Sequence, residues 1–370
     1  MKNLINNQAN VTSKVRNYWL DNVKFFLILL VVVGHFIEGF ISNKGIREIY
    51  CFIYIFHMPL FIFITGYFAK NTKNNQSKII RFLVLFLIMQ IIELIITKKK
   101  FTLVNPCFAI WYLQAIVVYN LIIPIIDKSK HIAILIVCIF IGLVIGYDNY
   151  ATTIGSLSRI LVMLPFFILG YFAKEKDINK LKNKKVVIFS VIFLTILIFS
   201  MPTITSKITK LPQLLWAKVP YQKMNMGNLG ALYRGAWYII SILVSFSILS
   251  IIPNRKIRYI SEFGKRTLQV YCLHIIIYLI FRDSYIYEKI NTNTEYYCVI
   301  PLSIILTALL SLKIFSYPFD LIMGKKKAVY NKKTKRRISD EENKIIEIQD
   351  EKHNKENKKE NKIKEKVKNV

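Results

Sequence analysis

The fold is decided by the stretch Lys24-Phe-Phe-Leu-Ile-Leu-Leu-Val-Val-Val-Gly-His35-Phe-Ile-Glu38, whose interior is almost entirely apolar. Apolar runs of similar length recur along the 370-residue chain, in which 54% of the residues are hydrophobic. About 20 apolar residues in a helix are enough to cross the hydrocarbon core of a bilayer. The sequence therefore predicts an all-α, polytopic membrane protein with about ten transmembrane helices.

The apolar runs define ten predicted spans, at residues 22–41, 50–69, 79–97, 107–126, 131–147, 153–173, 185–202, 233–252, 268–282 and 296–316. An even number of crossings places both termini on one side of the membrane. Lysine and arginine are more frequent in the loops on that side, although the cluster Lys98–Lys100 lies on the other. By the positive-inside rule, we expect a multi-pass protein of the plasma membrane with both termini in the cytoplasm.

The sequence divides into a cytoplasmic N-terminal segment at residues 1–18, a transmembrane domain at 19–318 and a basic tail at 325–370. The chain carries 52 basic and 22 acidic residues, a net charge of +30. The tail has the composition of a disordered cytoplasmic segment. We expect the basic residues to face anionic membrane lipids rather than nucleic acid. The first span is too long for a cleavable signal peptide and is expected to act as a signal anchor.

His35 is the strongest candidate for chemistry, because ionisable residues at membrane depth are costly and usually functional. Lys24 precedes it by eleven residues, so the two lie on one helix face, roughly 16 Å apart along the axis. Glu38 follows at i+3, where it can orient the imidazole. This pattern predicts a general base or a transient acyl carrier. The alternative is a histidine that only stabilises helix packing.

Two pairs of charged residues share the spacing i, i+3. Asp21 and Lys24 lie at the start of the first span, either as the entry to a path towards His35 or as a simple ion pair. Lys78 and Arg81 lie at the start of the third span. Two cations on one helix face suit a phosphate-bearing ligand, and anchoring at the membrane surface explains them equally well.

Three residues near the opposite membrane face are candidates for binding an acceptor. Arg159 and Arg234 suit a sugar or its negatively charged carrier, and snorkelling is their alternative. Trp111 is either part of the same site or an interfacial aromatic residue. His57 and His274 are interpreted as structural histidines.

Two regional features remain open. Residues 203–232 form the longest outer loop, which is either a substrate rim or, more simply, a solvated connector. Gly66-Tyr-Phe-Ala-Lys70 and Gly170-Tyr-Phe-Ala-Lys174 end two Phe-rich spans, as a weak internal repeat or by chance. The sequence shows no nucleotide-binding glycine loop, zinc-ligand pattern or serine elbow, and its cysteines predict neither a metal site nor disulfides. An enzyme of this kind would act with a diffusible donor.

Several motifs together resemble the membrane-bound acyltransferase family 3, and most closely its fucose 4-O-acetylase-like branch. They are Arg16-Asn-Tyr-Trp-Leu-Asp21-Asn-Val-Lys24, Gly34-His35, Phe56-His-Met-Pro59-Leu-Phe-Ile-Phe-Ile-Thr-Gly66-Tyr, Trp111-Tyr-Leu, Pro165-Phe-Phe-Ile-Leu-Gly170-Tyr and Gly264-Lys-Arg-Thr-Leu-Gln-Val-Tyr-Cys-Leu-His274. The resemblance covers most of residues 16–318. It implies ten transmembrane helices and an acyl-CoA donor, usually acetyl-CoA, with no bound cofactor.

The resemblance also implies transfer of the acyl group to a hydroxyl of a surface polysaccharide or its lipid-linked precursor, with polysaccharide assembly proteins as further partners. The family pattern of a basic residue ten positions before a histidine falls on Lys24 and His35. The paired arginines that commonly begin the third helix fall on Lys78 and Arg81, and the lysine lacks the planar guanidinium fork. Two other functions stay open: a glycolipid transporter with His35 as a proton relay, and a non-catalytic member of an assembly complex.

Overall fold

The computed structural model describes residues 18–70, 75–98, 102, 105–151 and 154–324. Within these ranges the regular structure is helical, without a strand. The helices are α1 Tyr18–Ile37, α2 Lys44–Ala69, α3 Asn75–Thr97, α4 Trp111–Ile122, α5 His131–Val144, α6 Leu157–Phe172, α7 Glu175–Lys180, α8 Lys184–Lys207, α9 Leu211–Trp216, α10 Gly230–Ile251, α11 Arg258–Phe263, α12 Thr267–Arg282, α13 Tyr285–Lys289, α14 Asn293–Leu310 and α15 Ser316–Ile322. The predicted disordered tail and most of the predicted N-terminal segment lie outside the described residues.

Ten of these helices correspond to the ten predicted spans. Seven are long and apolar enough to cross a membrane, namely α1, α2, α3, α5, α8, α10 and α14, several of them extended by adjoining turns. The shorter apolar helices α4, α6 and α12 account for the other three. The prediction of an all-α polytopic membrane protein is confirmed. The helix α6 begins at Leu157 rather than at 153, because Gly155 and Ser156 take left-handed backbone angles.

Local sequence explains where several helices begin. The side chain of Asn43 accepts a hydrogen bond from the Ile46 amide and caps α2. Thr292 and Glu295 form a capping box at the start of α14. The prolines inside α2, α6, α8 and α14 do not end these helices, a tolerance that is common where neighbouring helices satisfy the freed backbone groups.

The helix ends gather at two ends of the bundle. At one, which we call the Lys24 end, the Asn22 side chain donates to the carbonyls of Pro253 and Arg255 after α10, and Lys24 lies 5.6 Å from the ring of Phe68 at the end of α2. The turn after α1 and the start of α14 meet at the opposite end, where Asn43 donates to Asn293. The described chain therefore enters and leaves the ten-helix bundle at the same end.

A half-buried lysine binds the carbonyls at a helix end on the Lys24 side of the bundle. Lys182, in the turn before α8, donates hydrogen bonds to the carbonyls of Leu249, Ser250 and Ile252 at the end of α10. A cation at this position satisfies carbonyls that have no partner within the helix and opposes the negative end of the helix dipole. Burial lowers the pKa of the Lys182 ammonium to about 8.

The two similar helix ends cross each other. A Cβ atom at Gly66 of α2 would collide with the carbonyl of Phe167 in α6, and one at Gly170 would collide with the carbonyl of Phe63. The side chain of Lys70 also donates to the carbonyl of Ala173. Small residues allow backbones to approach this closely in membrane bundles. The repeated glycine therefore has a packing role in both helices, whatever its origin.

The described helices up to Ser316 belong to one compact unit. A second unit begins at Tyr317 and is described only as far as Gly324, by most of α15 and the turn after it.

Candidate active site

A cavity of about 320 Å³ lies at the end of the bundle opposite Lys24, which we call the cavity end. It is bounded by α1, α2, α4, α6, α9 and α12. The lining includes four of the nine residues singled out from the sequence, namely His35, Glu38, Trp111 and Arg159. These four residues come from three separate segments of the chain, so the fold has brought them together.

His35 lies in the last turn of α1, and it pairs with Glu38, the first residue of the short 3-10 turn that follows α1. Nδ1 of His35 lies 3.4 Å from a carboxylate oxygen of Glu38. An ionised carboxylate can only accept, so Nδ1 of His35 donates, and in the neutral ring Nε2 then carries the lone pair. Phe108 packs against the imidazole with ring centroids 4.8 Å apart, and Tyr54 meets it edge-on at 6.5 Å. The pair thus presents an oriented base inside an aromatic enclosure.

Arg159 is held between two tryptophans. Its Nε donates to the carbonyl of Trp216 at 3.1 Å, and its guanidinium carbon lies 5.3 Å from the ring of Trp111. Lys218 lies 5.0 Å from the ring of Trp216 and also lines the cavity. The positive charges of Arg159 and Lys218 both act on Glu38. The cavity therefore combines aromatic surfaces with two cations and one carboxylate, which suits a polar or anionic ligand.

The long outer loop contributes directly to this wall. Its helix α9 is buried, and Leu215 and Trp216 from it line the cavity. Trp216 is fixed in place because its indole nitrogen donates to the hydroxyl of Tyr50 at 2.6 Å. The interpretation of residues 203–232 as a solvated connector was wrong. The apolar run Leu211-Pro-Gln-Leu-Leu-Trp216 is the signal that favoured a packed segment.

Two histidines that were interpreted as structural lie close to His35. His57 lines the cavity, and its Nδ1 donates to the carbonyl of Ile53 at 2.9 Å. His274 makes the same kind of bond to Val270 and lies with its ring 5.5 Å from that of His35. In each histidine one ring nitrogen bonds to a carbonyl of its own helix, as expected for a structural histidine. His57 nevertheless lines the cavity, and His274 packs beside His35. The sequence of α2 or of α12 alone does not reveal these positions, because they result from packing between helices.

Asp21 and Lys24 form an ion pair of 2.8 Å at the other end of α1. Asp21 is only 4% exposed, and its backbone packs so closely on Gly264 that a Cβ atom there would collide with it. Neither residue lines the cavity. Lys24 thus lies near the start of α1 and His35 near its end, as their separation of eleven residues predicts.

Lys78 and Arg81 lie in the first turns of α3, and both are half-buried. Neither belongs to the lining of the cavity. Their role in binding the donor, at a place away from His35, stays a prediction.

Arg234 does not reach the cavity. It is 1% exposed, and its Nη1 donates to the carbonyl of Leu214 in α9 at 2.5 Å. The guanidinium also lies 5.1 Å from the ring of Trp237. Arg234 therefore supports α9 from the side away from the cavity, and the prediction that it contacts the acceptor directly does not agree with this position.

The comparison with known proteins agrees with this architecture. A family model described as "Acyltransferase domain" matches residues 17–312, which include all ten membrane helices. The chain therefore belongs to the acyltransferase 3 family of membrane proteins, and the helical bundle is its acyltransferase domain. The resemblance to this family is confirmed, whereas the assignment to the fucose 4-O-acetylase-like branch stays a prediction.

One curated relative matches over a short stretch. Nodulation protein NolL from Sinorhizobium fredii (strain NBRC 101917 / NGR234) is 41% identical over 66 residues. That stretch covers 17% of this chain and 18% of NolL, so the chain spans less than a fifth of this relative. No solved structure matches the chain.

Proposed function

We propose that the protein is an integral membrane O-acetyltransferase that moves an acetyl group from acetyl-CoA to a hydroxyl of a surface polysaccharide or its lipid-linked precursor. The observation that carries the proposal is the His35–Glu38 pair, which opens into a cavity that also holds Arg159 and two tryptophans. Membership of the acyltransferase family supports acyl transfer. The acetyl group and the glycan acceptor are parts of the proposal.

The chemistry requires a base, and His35 supplies one. Nε2 of His35 takes the proton of the acceptor hydroxyl while its oxygen attacks the thioester carbonyl. The C–S bond breaks, the new C–O bond forms an ester, and the CoA thiolate takes the proton back from His35. A second route begins with attack by Nε2 on the thioester, which breaks the C–S bond and releases the CoA thiolate; the acceptor oxygen then takes the acetyl group from His35, and its proton passes to the thiolate. Glu38 orients the imidazole and balances its charge in both routes.

The shape of the cavity supports a sugar as the acceptor. Its volume of about 320 Å³ is at the lower end of small-molecule sites, so it accommodates one sugar unit rather than a length of chain. Trp111 and Trp216 offer flat apolar faces, and Arg159 and Lys218 offer donors for hydroxyl or acidic groups.

The donor would approach from the Lys24 end. Lys24, Lys78 and Arg81 would bind the phosphates of CoA there, with Asp21 holding Lys24 in position. The pantetheine arm would then extend along the bundle towards His35, over roughly the 16 Å that separate eleven residues of a helix. In this proposal the Lys24 end faces the cytoplasm, where acetyl-CoA is made.

The experiment that tests the proposed function compares the surface glycan of cells that carry the native protein, the His35→Ala variant or no protein. The proton NMR spectrum of the purified glycan should show an O-acetyl methyl signal only with the native protein. The position of the deshielded sugar proton would identify the acetylated hydroxyl. Equal acetyl signals in all three glycans would refute the proposed function.

A further inference from the structure

One nitrogen of His274 is buried without a partner. His274 is 0% exposed, and its Nδ1–H donates to the carbonyl of Val270 at 2.9 Å, so Nε2 must carry the lone pair. Among the described residues this Nε2 has no hydrogen-bond partner. Leaving a buried acceptor unsatisfied costs about 1–3 kcal/mol. An unsatisfied buried group in a native structure requires an explanation, and a catalytic role is one of those known.

The unpartnered nitrogen belongs to the ring beside His35. The two imidazole centroids are 5.5 Å apart and the ring planes differ by 25°. His35 donates from Nδ1 to Glu38, so its Nε2 also carries a lone pair at rest. Both rings therefore offer acceptors, and they have no proton to share until one is taken up.

We propose that His274 is a positioning residue that supports His35 while His35 carries the proton from the acceptor hydroxyl. The inference rests on the proposed function. When Nε2 of His35 gains that proton, a cation forms in a site of low dielectric, where it needs partners. Glu38 balances it from Nδ1, and the neutral ring of His274, which carries an unshared lone pair, stacks beside it. The proton then passes to the CoA thiolate, and His35 returns to its neutral state.

The placement of His274 separates this role from substrate binding. His274 does not belong to the cavity lining, whereas His35 does. Its removal should therefore lower kcat and leave the KM for both substrates nearly unchanged. A merely structural histidine would give a different result, because its loss would affect the enzyme through stability and would not distinguish replacements by their hydrogen-bonding capacity.

Two variants of equal length provide the test. The His274→Gln side chain has an acceptor oxygen, whereas the His274→Met side chain has a similar shape with only a weak acceptor. In acetyl-CoA assays of the full-length protein in nanodiscs, with acceptor-bearing membranes, we expect His274→Met to lower kcat about 10- to 100-fold, the effect of about 1.4–2.7 kcal/mol. His274→Gln should recover at least half of that loss on a logarithmic scale. The buried neighbour variant Cys272→Ala should stay within about twofold of the native rate, in line with a small packing change at a side chain that does not line the cavity.

Equal kcat values for the Gln and Met variants would overturn the inference, and so would a loss expressed only in KM. A native protein without acetyl transfer would refute the proposed function alone. In that case the role of His274 can be tested by the nitrogen-15 NMR signals of the His35 ring at fixed pH. These signals should shift in His274→Met and stay near their native positions in His274→Gln. Unchanged His35 signals in both variants would overturn the inference.

Discussion

His35 acquires its chemical character from the side chains around it. Glu38 sets the hydrogen-bonding state of the ring, Phe108 and Tyr54 enclose it, and His274 lies beside it. Local spacing in the sequence predicts the first of these contacts, because i and i+3 are neighbours on one helix. The others come from α2, α12 and the segment before α4, so they depend on how the helices pack.

The role proposed for Glu38 leads to a graded prediction. Glu38→Gln keeps a hydrogen-bond acceptor and loses the charge, so it should lower kcat about 10- to 100-fold with little change in either KM. Glu38→Ala should lower it further, because the ring also loses its orienting partner. Steady-state rates of acetyl transfer measure both. If both variants matched the native kcat, the carboxylate would have no part in the reaction.

The two outer arginines provide a matched pair. Arg159→Met should raise the KM for the acceptor by about tenfold or more, the effect of about one lost charge-assisted hydrogen bond. The KM for acetyl-CoA should stay constant. Arg234→Met should instead lower the thermal stability, because it removes the bond that supports Leu214 in α9. A larger acceptor KM for Arg234→Met than for Arg159→Met would contradict the positions of these side chains.

The different outcomes for Arg159 and Arg234 show where sequence reasoning ended. Both are arginines near the same predicted membrane face, so hydropathy and charge give the same prediction for both. Only the packing of α9 separates them, since Trp216 accepts from Arg159 on the cavity side and Leu214 accepts from Arg234 behind it. Such a distinction depends on contacts between distant segments, which no local pattern in a single sequence specifies.

At the scale of the helices, hydropathy was sufficient for the ten spans. Each span is a long apolar run, and in a bilayer a helix is what satisfies its backbone. The buried helix α9 was missed because six residues are too few to produce a span signal, and their burial comes from contacts with other helices. Likewise, the repeat of Gly-Tyr-Phe-Ala-Lys was visible in the sequence, whereas the crossing of its two copies was not.

The crossing of α2 and α6 gives a stability prediction. Gly66→Ala places a methyl group against the carbonyl of Phe167 and should lower the free energy of unfolding by about 1–3 kcal/mol, the usual cost of overpacking. Gly235→Ala in α10 is the control, because its Cβ atom would meet only a side-chain carbon of Leu143 at 3.8 Å. Thermal unfolding in detergent compares the two. Equal melting temperatures for both variants would show that the close crossing is absent.

At the scale of the whole molecule, the described chain begins and ends its ten crossings at the Lys24 end. This agrees with an even number of spans, and the basic loops favour a cytoplasmic location for that end. The same orientation would place the sugar-sized cavity towards the outer face and the proposed donor site within reach of cytoplasmic acetyl-CoA. The two substrates would then enter from opposite sides and meet at His35.

Single cysteines can test this orientation. Four native cysteines are buried and Cys298 is exposed, so Cys298→Ser gives a suitable background. Asn149→Cys lies in an exposed turn at the cavity end and should react with a membrane-impermeant maleimide on intact cells. Lys180→Cys, exposed at the Lys24 end, should react only after permeabilisation. The reverse pattern of labelling would invert the proposed topology.

The central claim is that His35 transfers an acetyl group, and one measurement tests it most directly. The purified native protein, His35→Ala and His131→Ala are supplied with acetyl-CoA labelled in the acetyl group and with acceptor-bearing membranes. His131 is an exposed histidine at the Lys24 end, so its variant controls for the loss of an imidazole. The native protein and His131→Ala should label the glycan equally, and His35→Ala should leave it unlabelled. Labelling by a folded, membrane-inserted His35→Ala protein would contradict the account.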